Sequence, residues 1–313
     1  MSEQKNTRVT INDAENYHDA DVVITNPQAI VPMFYRSDEG LNQSYIKKVL
    51  DHGMHTARKI VDEQDEPTDD MLIGSAFHAI MSGKQDIIDS FIKVPKVDRR
   101  TKEGKALHAS FQSLAADGKT IIGENLWEQA EALTGGAKRV LESAVDLKSG
   151  KLITEVPLKG MAKATYRMRD DYAGYWSKDM KDDDSHQLVI ERVVKGQLDA
   201  IFVPDSDKEP IVVIDYKTAP SSTMGKVIKK ARDDMWKLQA SLYAGLASAY
   251  YNRPALVMYI VAGKDTGAPR AYLFGQKSII EGRQMLANGI MRIATQSLDQ
   301  SMTDDEYFGI AVI

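Results

Sequence analysis

The sequence predicts an α/β protein in which helices flank a central mixed β-sheet, preceded by an N-terminal helical region. Three observations lead there. Apolar residues recur at helical spacing through much of 42–148, and strand-like runs cluster in 152–218. A further helix pattern then crosses to two more strand-like runs, at 255–262 and 268–275.

Residues 1–41 show little periodicity and several turn formers, so they read as an irregular leader. From Asn42 to Glu63, the side chains Tyr45, Ile46, Val49, Leu50, Met54, Ala57 and Ile60 fall on one helical face. The acidic, proline-containing stretch 62–70 reads as a surface loop. MLIGSAFHAIMSG follows as a helix whose small residues permit close packing, and 84–105 as a short strand and a basic loop. Residues 106–148 read as helices, broken near Asp117–Gly118 and again at Gly135–Gly136. LITEVPL (152–158) alternates like a strand; VIERVVKGQLDAIFVP (189–204) is the next, and IVVIDYKT (211–218) is a buried one beyond a turn. Residues 222–251 read as one long helix, ALVMYIVA and APRAYLFG as strands, and 277–298 as a closing helix. One domain is expected over 42–298, followed by an acidic and then apolar tail, 299–313.

Composition narrows the function classes. The chain has no cysteine, which excludes a disulfide framework, a thiolate zinc site and an iron–sulfur cluster. Its first twenty residues are polar and acidic, and no apolar run reaches the length of a membrane span. A cytoplasmic protein with no membrane association is the expectation. The net charge of −5 argues at first against a nucleic-acid partner, but the charge is segregated. Residues 93–105 hold six Lys/Arg against two acids, and 159–169 hold four basic residues and no acid. The acids gather in 62–70, in 179–184 and near the C-terminus. A polyanion channel and a set of solvated loops both fit that pattern.

The chemistry is concentrated in IVVIDYKT. Side chains two apart on a strand share a face, so Asp215 and Lys217 lie side by side at the end of an apolar run. Buried charges need compensation. A Mg²⁺ site supplies it, with carboxylate oxygens on the cation and the ammonium orienting or activating a water. Asp199 lies one strand and one turn upstream, the spacing of a hairpin that brings both carboxylates to one metal. The plain alternative is an Asp–Lys ion pair where a strand emerges into solvent. His52, His55, His108 and His186 show no ligand spacing, and Met285 and Met291 read as helix packing.

Beyond Asp-x-Lys, the order Gly196-Gln-Leu-Asp199, Ile214-Asp215-Tyr216-Lys217-Thr218 and Gln239-Ala-Ser-Leu-Tyr243 resembles the GxxD…DxK…QxxxY order of RecB-like PD-(D/E)xK nucleases. Gly74-Ser-Ala-Phe-His78 is similar to the G-x-x-x-H helix of that group. Arg100-Thr-Lys-Glu-Gly104-Lys105 resembles a segment of the RecE-type (exonuclease VIII-like) branch. The resemblance spans about 42–298 and implies a PD-(D/E)xK nuclease core. It implies that Asp199 and Asp215 hold the metal with the Tyr216 backbone carbonyl, and that Lys217 stabilises the hydroxide and the transition state. His78 is implied as a ligand or a neighbour of one; a hydrogen-bonded core histidine is the alternative. Gln239 and Tyr243, one turn apart, would meet the DNA end or brace Lys217, or Tyr243 simply packs. Glu155 would approach the metal through water, or stand as an exposed strand glutamate. Arg100 and Lys105 would contact phosphates, or lie in a solvated loop.

The resemblance further implies Mg²⁺, with Mn²⁺ as substitute, and 5′→3′ digestion of double-stranded DNA ends to single-stranded tails for recombination. A RecT-like single-strand annealing protein would be the partner, and a homo-oligomeric ring of three or four subunits the assembly. A phage or mobile element would suit such a pair. The very long N-terminal extension of the best-known RecE proteins has no counterpart in these 313 residues. Two rivals stand beside this: a restriction-type or structure-selective endonuclease using the same centre, and a DNA-binding relative that no longer cuts.

Overall fold

A computed structural model describes residues 17–31, 35, 38–62, 67–95, 101, 102, 106, 110, 111, 118–168, 187–265 and 268–296. Its elements are β1 (Tyr17–Ala29), α1 (Gln43–Asp62), α2 (Asp69–Ser82), α3 (Gln85–Ile88), β2 (Phe91–Val94), β3 (Thr120–Gly123), α4 (Glu124–Ala144), β4 (Gly150–Met168), β5 (Gln187–Pro204), β6 (Ile211–Ala219), α5 (Met224–Asp233), α6 (Trp236–Tyr251), β7 (Ala255–Gly263), β8 (Arg270–Leu273) and α7 (Gln276–Gln296). Six strands form one mixed sheet in the order β1-β4-β5-β6-β7-β8, while β2 and β3 pair separately. β6 and β7 run parallel; the other neighbours in the large sheet are antiparallel. A parallel pair needs a crossover, and α5 with α6 provides it.

The sheet is covered on both faces, as its apolar runs require. On one face Val213, Leu198, Tyr259 and Val261 pack with Ile46 of α1, Leu238 and Leu242 of α6 and Leu286 of α7. On the other, Ile214, Tyr216, Ala200 and Ile260 pack with Phe77 of α2 and Trp127 and Leu133 of α4. β6 divides its residues between the two layers by simple alternation. Asp215 and Lys217 therefore share the α6 side, and Tyr216 and Thr218 the α2 side.

Several expectations need correction. The leader is not irregular throughout: Tyr17–Ala29 is an edge strand with Val22 and Ile24 buried and Val23 exposed. Asn26 (φ 49) and the register shift between Thr25 and Gln28 hid the alternation, because a bulge places turn formers inside a strand. Thr120–Gly123 is a strand, not helix; its β-branched run pairs in parallel with β2. The helix α4 runs unbroken through Gly135–Gly136. Each glycine costs about 1 kcal/mol there, but Leu126, Trp127, Ala130, Leu133, Ala137 and Leu141 bury one continuous face across the pair. Conversely, 222–251 is two helices, because Met235 adopts a left-handed conformation (φ 52, ψ 43) that re-aims α6. Finally, β4 continues from 152–158 to Met168, so the basic stretch from Lys159 is sheet rather than loop, and Lys159 is paired with Asp38 at 2.8 Å. The tail 299–313 lies outside the described residues, as do acids 179–184. No helix among the described residues is long and apolar enough to cross a membrane.

Candidate active site

The site forms where β5 and β6 part. These strands pair at Ala200↔Ile214, Ile201↔Val213 and Phe202↔Val212, and the ladder stops one residue short of Asp199 and Asp215. There Asp199 replaces the ladder with its side chain: the Tyr216 backbone N–H donates to Asp199 Oδ2 at 2.8 Å. β4 and β5 also change phase at this level. Leu152, Ala200 and Phe202 pack in the α2/α4 layer, whereas Val156, Leu158, Leu198 and Val194 pack in the opposite one. All seven have even numbers, so the alternation reverses between the two groups. Glu155, in mid-strand, has φ 52, a left-handed conformation uncommon for a non-glycine residue and costing of order 1–3 kcal/mol. Strained backbone of this kind clusters at functional sites.

Groups converge on this fork from both layers. From α2, His78 Nδ1 approaches Asp199 Oδ2 at 3.2 Å. Gly74 explains how: an added Cβ would stand 3.3 Å from Thr218 Oγ1, so glycine lets α2 lie close on β6, and His78 follows one turn later on the same side. From the α6 side, Lys217 Nζ lies 2.6 Å from Asp215 Oδ2, and Gln239 Nε2 donates to Asp215 Oδ1 at 3.0 Å. Tyr243 packs its ring on Gly196, where an added Cβ would come within 2.7 Å of Tyr243 Cε1. The G-x-x-D and Q-x-x-x-Y motifs thus meet physically: the glycine makes room for the tyrosine, and the glutamine holds the second aspartate. Gly196→Ala is accordingly expected to destabilise the fold by about 1–3 kcal/mol, the scale of core overpacking, measured by urea unfolding. An unchanged midpoint would show that the ring moves aside freely.

Electrostatics set the two carboxylates apart. Burial pushes the Asp215 carboxyl up, with Asp199 adding to it and Lys217 opposing, to about 6. Burial would raise Asp199 as well, but His78, Lys217 and the Tyr216 N–H outweigh it and hold Asp199 below the usual carboxylate range. Burial disfavours the charged forms of His78 and Lys217, yet the aspartates reverse this and raise both. Glu155 is raised, by burial first, and its carboxylate accepts a hydrogen bond from Gln197 Nε2.

All but two of the sequence-predicted residues can be placed. Asp199, Asp215, Tyr216, Lys217, His78 and Gln239 come together at the fork, and Tyr243 lines its α6 side. Glu155 is no plain exposed glutamate; it is half-buried at the same level of the sheet. Arg100 and Lys105 lie outside the described residues. Two participants were missed. Gln197 stands two residues before Asp199, a same-face spacing that could have pointed to it. Tyr259 donates to Gln239 Oε1 at 3.2 Å; the signal was a lone hydroxyl in an otherwise apolar strand. Lys195, just before the G-x-x-D motif, is buried but serves the fold instead, donating to the Tyr35 carbonyl at 2.9 Å and to that of Asp38.

A divalent ion suits the donors present. Asp215 Oδ2 is buried and accepts no hydrogen bond of good geometry, although the Lys217 ammonium is adjacent. Two carboxylates, an imidazole and no thiolate favour a hard cation over structural zinc. Among the described residues no three His, Asp or Glu side chains are already gathered as a cage. An ion would therefore replace existing ion pairs rather than enter a finished cavity. A groove of about 430 Å³ between β1, α6 and α7, lined by Val22, Ile24, Ala244 and Arg283 among others, contains none of these groups.

Comparison with known proteins agrees with this architecture. The PD-(D/E)XK nuclease superfamily matches residues 49–304, and the chain belongs to that superfamily. Its six-stranded mixed sheet flanked by helices is the expected core. A solved structure from Eubacterium rectale, named as a candidate exonuclease, is similar over 88% of this chain and 88% of its own, with TM-score 0.50 and 13% identity. At that identity the likeness shows the fold alone. SSO0001 aligns over 83% of this chain and 96% of its own at 16% identity, but its TM-score of 0.24 carries no argument. No curated protein matches the sequence.

Proposed function

We propose that the chain is a Mg²⁺-dependent exodeoxyribonuclease that degrades linear double-stranded DNA from its ends. The carrying observation is the fork between β5 and β6, where two carboxylates, Asp199 beside His78 and the buried Asp215 beside Lys217, come together. Asp199 and Asp215 would hold the cation, with the Tyr216 carbonyl as a further oxygen and His78 and Glu155 beside them. The cation, when bound, neutralises phosphate charge and makes a bound water more acidic. Lys217, whose ammonium lies beside Asp215, would stabilise the hydroxide and the negative charge of the transition state. In the hydrolysis, the water oxygen forms a bond to phosphorus and a bridging P–O bond breaks. The departing oxygen gains a proton.

Action from an end, 5′→3′ polarity, tails for recombination and an annealing partner rest on the resemblance of Arg100–Lys105 to the RecE-type branch. A homo-oligomeric ring of three or four subunits would reconcile a net charge of −5 with a polyanionic substrate, by turning basic stretches toward an enclosed duplex. Light scattering would give its mass. The direct test of the activity is linear against covalently closed circular duplex, each with Mg²⁺ or excess chelator. Loss of linear DNA alone, and only with metal, is expected. Nicking or cutting of the circle would favour the endonuclease alternative.

Metal binding carries its own pH signature. With its carboxyl raised to about 6, Asp215 is more protonated in the folded than in the unfolded chain between pH 4 and 6 or so. Taken by itself, it stabilises the metal-free fold below that window, and this contribution is lost as pH rises through about 6. A cation needs the ionised form. Mn²⁺ should therefore raise the thermal midpoint strongly at pH 7.5 and much less at pH 5, which differential scanning calorimetry would show. Equal shifts at both pH values would contradict the site.

A further inference from the structure

Tyr259 belongs to none of the motifs that point to the site, yet it stands beside both of its charged arms. Asp215 and Tyr259 are register partners on the parallel strands β6 and β7, and both face α6. The Tyr259 hydroxyl lies 3.2 Å from Gln239 Oε1, while Gln239 Nε2 lies 3.0 Å from Asp215 Oδ1. Lys217 Nζ is 5.4 Å from the centroid of the Tyr259 ring. The whole relay is buried.

The chain of hydrogen bonds has a direction. An ionised carboxylate only accepts, so Gln239 must turn its NH₂ group to Asp215 and its carbonyl oxygen to Tyr259. At that position only a donor fits, and a tyrosine hydroxyl is one. Remove it, and Gln239 keeps Asp215 and Tyr243 as partners but loses the donor that fixes its carbonyl oxygen, so the amide is held less firmly against the carboxylate. We infer that Tyr259 is a positioning residue: its hydroxyl locks the Gln239 amide in the orientation that holds Asp215 for a divalent cation, while its ring seats the Lys217 ammonium. This rests on the nuclease function proposed above and acts through Gln239, not on the substrate. A purely structural role is the competing account. The hydroxyl is also 3.3 Å from the Trp236 carbonyl, and the ring packs 5.3 Å from Trp236 and 4.7 Å from Phe274.

Tyr259→Phe separates the two, because it keeps the ring and deletes only the hydroxyl. Mn²⁺ affinity would be measured by calorimetry without DNA, and kcat and KM on linear duplex, for wild type, Tyr259→Phe, Gln239→Ala and the double variant. Tyr259→Phe should weaken Mn²⁺ binding and lower kcat, each by about threefold to tenfold, the scale of one hydrogen bond, with KM for DNA unchanged. In the Gln239→Ala background it should have no further effect, since the pathway is already cut. Wild-type affinity and kcat in folded Tyr259→Phe protein, even with a lowered thermal midpoint, would overturn the inference. So would effects that add in full to those of Gln239→Ala. A wild-type protein that neither binds Mn²⁺ nor cuts DNA would overturn the nuclease function and this inference together; an active wild type with a silent Tyr259→Phe overturns this inference alone.

Discussion

Asp215→Asn and Asp199→Asn proteins are each expected to bind duplex DNA and release no nucleotide. The amide variants test charge rather than bulk. The amide oxygen introduced by Asp215→Asn would still accept from Gln239, and that of Asp199→Asn could still accept the Tyr216 N–H that bridges the parting strands. What disappears is one of the two anions proposed to hold the cation at this fork. The loss should exceed the roughly 10²–10³-fold associated with one transition-state stabiliser, because the cation itself is lost. Alanine at either position adds a structural penalty. Removing one partner of a buried ion pair strands the other, at about 3–5 kcal/mol. Nucleotide release from an end-labelled duplex, with folding checked by circular dichroism, decides the matter. Turnover within tenfold of wild type in either amide variant would remove that residue from the metal site.

Lys217→Ala should behave differently. The proposed metal ligands remain, so binding of Mn²⁺ and of DNA should survive, while turnover falls by about 10²–10³-fold. Two features single out this lysine. It reaches Asp215 at 2.6 Å from the same strand face, and its side chain remains about one fifth exposed, enough to meet a phosphate. Lys217→Arg should recover little. A guanidinium is broader and planar, and cannot take the place of the compact ammonium that lies against Asp215 and 5.4 Å from the Tyr259 ring centroid without rearrangement. Single-turnover kinetics at saturating metal would isolate the chemical step. Near-normal rates in folded Lys217→Ala protein would leave it only the role of partner to a buried carboxylate.

Much of the sheet was legible because its strands obey one rule over several residues. IVVIDYKT and ALVMYIVA are apolar, β-branched and bounded by turn formers, and both became central strands. The Asp215/Lys217 pair followed directly from that alternation. Local signals failed where tertiary packing overrode them. A continuous buried face carried α4 across two glycines, and a bulge at Asn26 concealed β1. The phase reversal at Glu155 could not be foreseen either. Nothing in LITEVPL announces a left-handed glutamate, because the strain is imposed by the strands around it. Gly74 and Gly196 were visible as motif positions, but their reasons were not. Each marks a contact with a residue distant in sequence, Thr218 in one case and Tyr243 in the other.

Among the described residues, two members of the basic stretches are already partnered. Lys159 is neutralised by Asp38, and Lys93 lies over the Trp127 ring, 4.3 Å from its centroid, with Glu131 at 3.8 Å. Neither is a free cation awaiting phosphate, so charge counts along the chain overstate the basic surface. The helix α5 carries Lys226, Lys229, Lys230 and Arg232 shortly after β6, but there too Lys226 is paired with Asp265, Lys230 with Asp234 and Arg232 with Asp233.

The most direct test is digestion of an end-labelled linear duplex by the purified wild-type chain, with Mg²⁺ and with chelator in excess. Progressive release of nucleotides with Mg²⁺ and none with chelator is the predicted result. Equal digestion in chelator, or an intact duplex after prolonged incubation of folded protein with Mg²⁺, would contradict a metal-dependent nuclease centre built on Asp199, Asp215 and Lys217.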